Sequence, residues 1–381
     1  MEKQLSILAN LATIAAVFLP VAVAAGVIPR AGPGRAIVLA LRSRFSSAAT
    51  VSLRADAVLK LRAMLRNIGR SEYIVVTGQK GVGKTVVVDT VTQRTCGVLS
   101  VTVAPGTPQD SIVSKVFAEV VNSRLGLFDP RSSARRVLWF YSLLRLPRPI
   151  VILRAGERRD GQDFADVPGA ARELAVFGLR VLVDGSTNSL PVELLKTTRE
   201  DVLDLDGMSW DELRSIPENA GVFAVLRAER LEGLAWAVLG GVPSRYNQLG
   251  TQLKRTELQD ARRVVATYLR DEIGNAISCC DRLIAACPAM KPVLEAYKNQ
   301  DAVPESLLTS KGIVAPSPNK VLRAAKINGR IMLVPADPAT ALVLKNSLSE
   351  TPSFEALLQL LEDGVPNPRQ SEPGSAPESL I

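Results

Sequence analysis

Eight residues beginning at Gly78, GQKGVGKT, set glycines, a lysine and a hydroxyl at the spacing G-x-x-x-x-G-K-[ST]. Gly78, Gly81 and Gly83 permit a tight backbone path, on which the N–H groups of Gln79, Lys80, Val82 and their neighbours turn towards one anion. Lys84 is placed to reach β- and γ-phosphates, and the Thr85 hydroxyl to join the shell of a Mg²⁺ ion. That chemistry needs a further oxygen ligand from a strand end. The apolar run PIVILRAGERRD ends in Arg154, which has no oxygen to give and can only compete with a metal for phosphate charge. Glu157 or Asp160 in the turn after it is one substitute, and Asp184, at the end of RVLVD, is another.

These residues need a scaffold. Tyr73–Thr77 is a short β-branched run that reads as a buried strand, and 84–94 reads as the helix after the loop, its positive end towards the phosphates. Further strands are expected over 97–103, 150–153, 179–183 and 201–206, with helices over 109–121, 134–144 and 168–177. Strands alternating with helices give an α/β fold with a parallel sheet covered on both faces, and a ligand at the carboxyl ends of its strands.

Composition removes other chemistries. The 381 residues include no histidine, so zinc-hydrolase and Ser-His triad readings fall away. Cys96, Cys279, Cys280 and Cys287 follow neither a C-x-x-C nor a ribbon spacing, which leaves reduced thiols as the expected state. The net charge of +8 is confined to Pro29–Arg70, where nine basic residues face one acid, Asp56. It describes one basic neck rather than a basic protein.

The order of these parts resembles the AAA+ and STAND divisions of P-loop NTPases over roughly 54–253, and more narrowly the Crinkler and retrotransposon-hot-spot group. The resemblance implies ATP or ADP with Mg²⁺, an acid ending the third strand, a polar sensor after the fourth and a helical lid. Asn188 within Ser186–Asn188 falls at the sensor position. AVLGGVPSRYNQL, 237–249, is similar to the Gly-Gly-x-Pro lid motif, with Arg245 placed to approach the γ-phosphate. The strand count makes Arg154 the residue in the acid's place, about 70 residues after Lys84, whereas Asp184 lies about 100 after it. If the count is one strand off, Asp184 is the acid; otherwise it is a turn-forming Asp-Gly.

After the core, 253–286 has the pattern of lid helices with charges of both signs. In Ser317–Leu348 a helix is expected over Asn319–Ala325, a turn at Asn328-Gly329, a strand over Arg330–Val334 and a helix from Pro338 capped by Asp337. That order resembles a degenerate winged helix, whose Lys320, Arg323, Lys326 and Arg330 offer a route to DNA, with protein contact as the preferred use. The tail from Gly364 is Pro/Ser/Glu-rich and expected to be disordered.

Leu5–Ile28 is uncharged and long enough to cross a bilayer, and the arginines after it put the bulk of the chain on the cytosolic or matrix side. Two alternatives stand: signal-peptide cleavage after Ala22–Ala24, and mitochondrial targeting by the Arg/Ser-rich stretch 30–54. The expected layout is a transmembrane helix over 1–28, a basic neck over 29–70, a P-loop NTPase core over 71–250, a helical lid over 251–300, a winged-helix-like module over 301–350 and a helix with tail over 351–381. Two functions fit it. One is a membrane-anchored ATPase that remodels a protein partner or assembles with itself. The other is a switch that holds ATP or ADP with little turnover, and a secreted Crinkler-type effector is a variant of either.

Overall fold

Six residues from Tyr73 to Gly78 are buried without exception, and they form the strand that leads into the glycine-rich loop. They belong to a computed structural model that describes residues 54–69, 72–93, 95, 97–121, 130–143, 148–155, 164–185, 200–255, 260–310, 321–327 and 330–362. The expected membrane segment, Cys96, Glu157, Asp160, Asn188, Lys320, the Asn328-Gly329 turn and the tail from Gly364 lie outside them. Among the described residues, no helix is long and apolar enough to cross a membrane.

The chain opens with α1 (Ala55–Asn67), β1 (Tyr73–Gly78), α2 (Lys84–Thr92), β2 (Val98–Val103), α3 (Gln109–Val121), α4 (Pro130–Leu143), β3 (Ile150–Ala155), α5 (Val167–Val176), β4 (Arg180–Asp184) and β5 (Glu200–Leu205). The strands make one sheet in the order β2-β3-β4-β1-β5, and the pairs β2·β3, β3·β4 and β1·β4 are parallel. Continuous apolar runs such as Ile150–Leu153 form strands here because both faces of the sheet are covered. Val75, Val101, Val151 and Val183 meet Phe117 and Leu174 in one core, which an edge-to-face contact between Phe117 and Phe177 at 4.8 Å extends.

The chain packs as two units. One holds the described residues up to Thr77 and from Lys84 to Leu203; the other holds Gly78–Gly83 and those from Asp204 onward. The second unit contains α6 (Trp210–Arg214), α7 (Ala220–Ala228), α8 (Glu232–Leu239), α9 (Pro243–Leu253), α10 (Ala261–Ala286), α11 (Lys291–Glu295), β6 (Val303–Pro304), α12 (Ser306–Ser310), β7 (Leu322–Ile327), β8 (Arg330–Pro335), α13 (Pro338–Asn346) and α14 (Phe354–Glu362). Helix α6 starts with a full capping box, Ser209 accepting from the Glu212 N–H while Glu212 accepts from that of Ser209. Trp210, Phe223 and Tyr246 pack together behind it, the last two stacked at 5.3 Å.

One element differs from expectation. Where the sequence suggests a helix over Asn319–Ala325, the chain forms β7, paired antiparallel with β8 from Leu322↔Pro335 to Ile327↔Arg330. Leucine, alanine and lysine favour a helix locally. A hydrogen-bonded partner strand outweighs that preference. The expected winged-helix order is therefore not formed there; the segment is one strand of a three-stranded sheet in the order β6-β8-β7. The capping of α13 is as expected, with Asp337 Oδ1 accepting from the Thr340 N–H at 2.8 Å.

Candidate functional site

The loop after β1 takes the path its glycines suggested. Gly81 and Gly83 have φ of 82° and 98°, values that side-chain-bearing residues rarely adopt. The Val82 N–H donates to the Gln79 carbonyl at 3.3 Å, and the Val82 side chain is fully buried, which anchors the turn. Lys80 is exposed and Gln79 half-buried. Helix α2 begins directly at Lys84, so its unpaired N–H groups belong to the end of the loop.

Around Lys84 the first unit gathers four further polar side chains. Thr85 Oγ1 donates to Asp184 Oδ2 at 3.3 Å. Asp184 ends β4, with its Cα paired to Val76 of β1 on one side and to Arg154 of β3 on the other. It is only 5% exposed. Burial raises its carboxyl above the ordinary value, while Lys84, Arg154 and the Thr85 hydrogen bond hold it down and Asp89 pushes it up. The Arg154 guanidinium is ion-paired with Asp89 of α2, and its Nε is buried with no hydrogen-bond partner.

The strand count from the sequence stands: the third strand ends in the Arg154-Ala155 pair and the fourth in Asp184. Nevertheless the acid beside the loop threonine is Asp184, brought there because β4 lies next to β1. A hydroxyl and a carboxylate from two elements are hard oxygen donors of the kind that Mg²⁺ would accept. A buried carboxylate with a raised pKa is one that a divalent cation would hold ionised. On both counts the residues present fit the ion.

In the second unit the Gly240-Gly241-Val242-Pro243 turn is an intimate backbone contact. The Met208 N–H donates to the Gly241 carbonyl at 2.7 Å, and a side chain on Gly241 would run into the backbone of Gly207 and Met208. Loop residue Gly81 abuts Ser244 and Val242, leaving no room for a Cβ. Arg245, one residue further on, is held inside this unit. It donates to the Val238 carbonyl at 3.2 Å and pairs with Glu272 at 3.6 Å and Asp337 at 3.5 Å.

Arg323, suggested above as a DNA contact, bonds Asp204 at 2.9 Å and lies 4.0 Å from Asp206. It also lines a cavity of about 660 Å³ with Gln79, Gly207, Trp236, Tyr297 and Asp337. Sequence reasoning missed Asp89 and Asp204, the partners of the two arginines. Asp89 left one signal, its i+4 spacing from Thr85, which puts both on one helix face.

No family model matches the chain, and no curated protein matches it. Among solved structures it is similar to the Aeropyrum pernix Orc1 protein in complex with DNA. The identity is 16%, over 82% of this chain and 95% of that one, with a TM-score of 0.32. A likeness at that level carries no functional assignment; what the chain itself shows is a parallel α/β sheet with a glycine-rich loop between its first strand and the following helix.

Proposed function

We propose that the protein binds ATP with Mg²⁺ at Gly78–Thr85 and acts as an AAA+/STAND-type ATPase of low turnover, or as a nucleotide-dependent switch, on a protein partner. The observation that carries this reading is the Thr85 hydroxyl 3.3 Å from the Asp184 carboxylate, at the start of the helix that the loop feeds. Lys84 neutralises β- and γ-phosphate charge, and the loop N–H groups hold their oxygens. Thr85 and Asp184 are the residues that would hold Mg²⁺, which would supply positive charge against that of the phosphates.

Within the second unit, the contact of Gly81 with Ser244 and Val242 links the loop to the start of α9. A nucleotide that fixes the loop bears on that helix, and through Arg245 on Glu272 of α10 and Asp337 at the cap of α13. This chain of contacts supports the switch reading, because the readout reaches the C-terminal module without needing hydrolysis. Anchoring through Leu5–Ile28 is part of the same proposal, and retention of the full chain in membranes after carbonate extraction tests it.

The deciding experiment measures equilibrium affinity for a fluorescent ATP analogue beside steady-state phosphate release. Binding with slow release supports the proposal, and absence of binding overturns it. An affinity for duplex DNA in place of nucleotide would favour the other use of the C-terminal module.

A further inference from the structure

Arg154 occupies the strand end where an oxygen ligand was expected, and its side chain reaches the helix that follows the loop. It pairs with Asp89, which lies one helical turn after Thr85 on α2. Residues at that separation share a helix face, with Cβ atoms about 5–6 Å apart. The guanidinium therefore sits about one turn from the Thr85 hydroxyl, on the face that carries it. Its backbone is paired with that of Asp184. Its Nε is buried without a hydrogen-bond partner, so part of the donor fork is unspent.

We propose that Arg154 is a second phosphate-binding cation, which leaves Asp89 for the triphosphate and allows the nucleotide to be held without a divalent metal. This rests on the loop being the nucleotide site. The relative strengths favour the transfer. The side chains of Arg154 and Asp89 are 28% and 54% exposed, and ion pairs so open to water contribute little. A guanidinium on a phosphate makes charge-assisted bonds about twice as strong as neutral ones, often two at once. At rest Lys84 and Arg154 are balanced by Asp89 and Asp184. With nucleotide present and no metal, Lys84 and Arg154 together face the phosphates, and Asp89 is released to solvent, where it is already half exposed.

The site then has two ways to hold the same ligand. With Mg²⁺, Thr85 and Asp184 are needed and Arg154 stays on Asp89; without it, Arg154 is needed and Asp184 is not. Titration of the full-length protein with a fluorescent ATP analogue, in excess Mg²⁺ and in excess EDTA, separates them. The parent should retain binding in EDTA, within about tenfold of its affinity in Mg²⁺. Arg154→Ala should lose about tenfold in EDTA and little in Mg²⁺. Asp89→Asn, which frees the guanidinium, should gain severalfold in EDTA. Effects of opposite sign exclude misfolding as their common cause, and should Arg154→Ala fail to fold, Asp89→Asn decides alone. A parent that binds only with Mg²⁺, or an Asp89→Asn variant that gains nothing in EDTA, overturns the inference. Lys84→Ala tells the two failures apart. If it binds like the parent in both buffers, the phosphate-loop reading itself is wrong; if it weakens binding while Arg154→Ala does not, only the role of Arg154 falls.

Discussion

Arg154 and Asp184 are Cα partners at the ends of neighbouring parallel strands, and only the aspartate hydrogen-bonds the loop threonine. The acid is thus carried by the strand beside β1 instead of by the next one out. In the proposed ATPase, Asp184 would supply the oxygen ligand for Mg²⁺, although the third strand ends in a guanidinium. Asp184→Asn should reduce Mg²⁺-dependent phosphate release by about 100-fold or more while ATP still binds in EDTA. Arg154→Asp should not restore fast turnover, because the Thr85 hydroxyl is already partnered from β4. Phosphate release from parent and variants, at saturating ATP, checks both statements. Unchanged release by Asp184→Asn would sink the assignment.

Lys84 is 8% exposed and its charge is felt by Asp184, so it is a buried cation at the end of the loop. Removing it should weaken ATP-analogue binding by about tenfold or more, the scale of one charge-assisted contact. Lys84→Ala also leaves the Asp184 carboxylate with less compensation. Its melting temperature without nucleotide should therefore fall slightly, and scanning calorimetry beside the titration reads that.

Much of this arrangement was legible in the sequence for reasons that are local. Tyr73–Thr77 and Ile150–Leu153 are short apolar runs rich in β-branched residues, and both lie in buried strands. Gly81 and Gly83 mark by their spacing the positive-φ positions that the loop adopts. Gly240 and Gly241 mark a turn that proved too tight for a Cβ. The rest depended on partners far along the chain. Arg245 meets Glu272 and Asp337, and Arg323 meets Asp204; no window of sequence shows those pairs. Residues 322–325 were misread as part of a helix because their strand character comes from β8, not from their own propensities. Asp184 was visible as a strand-ending acid, but its proximity to Thr85 follows from β4 lying beside β1, and sheet order is not a local property.

The Gly240-Gly241 turn gives a prediction about stability alone. A Cβ at Gly241 would lie 2.6 Å from the Gly207 carbonyl carbon, and backbone on both sides cannot step aside. Gly241→Ala should cost about 1–3 kcal/mol, which lowers the melting temperature by several degrees. Gly233, in α8, has nothing within 4 Å of its would-be Cβ. Gly233→Ala should be neutral or stabilising by up to about 1 kcal/mol, as alanine is the better helix former. Urea melts should show a loss of stability for Gly241→Ala and none for Gly233→Ala. Equal losses would mean that backbone freedom, not space, explains both glycines.

The last prediction concerns the pH dependence of stability without nucleotide. Burial raises the Asp184 carboxyl, so the folded chain holds this proton more tightly than the unfolded chain does. Between the unfolded carboxyl value, about 3.9, and the higher folded one, the native state binds more protons than the unfolded state. Stability from this group therefore falls as pH rises through that window and stays lower above it. Asp184→Asn cannot ionise and carries no such penalty. Its stability relative to the parent should increase as pH rises above the unfolded carboxyl value and level off once the buried carboxyl is fully ionised. All other titrating groups are shared by the two proteins, so the difference isolates Asp184. Mg²⁺ and ATP should reverse the order, because the ionised carboxylate then has a cation to hold and the parent gains linkage stabilisation that the variant lacks. Paired denaturant melts across pH, with and without Mg²⁺ and ATP, measure both halves. A difference that does not change with pH would show that Asp184 is not held in the fold with its carboxylate disfavoured.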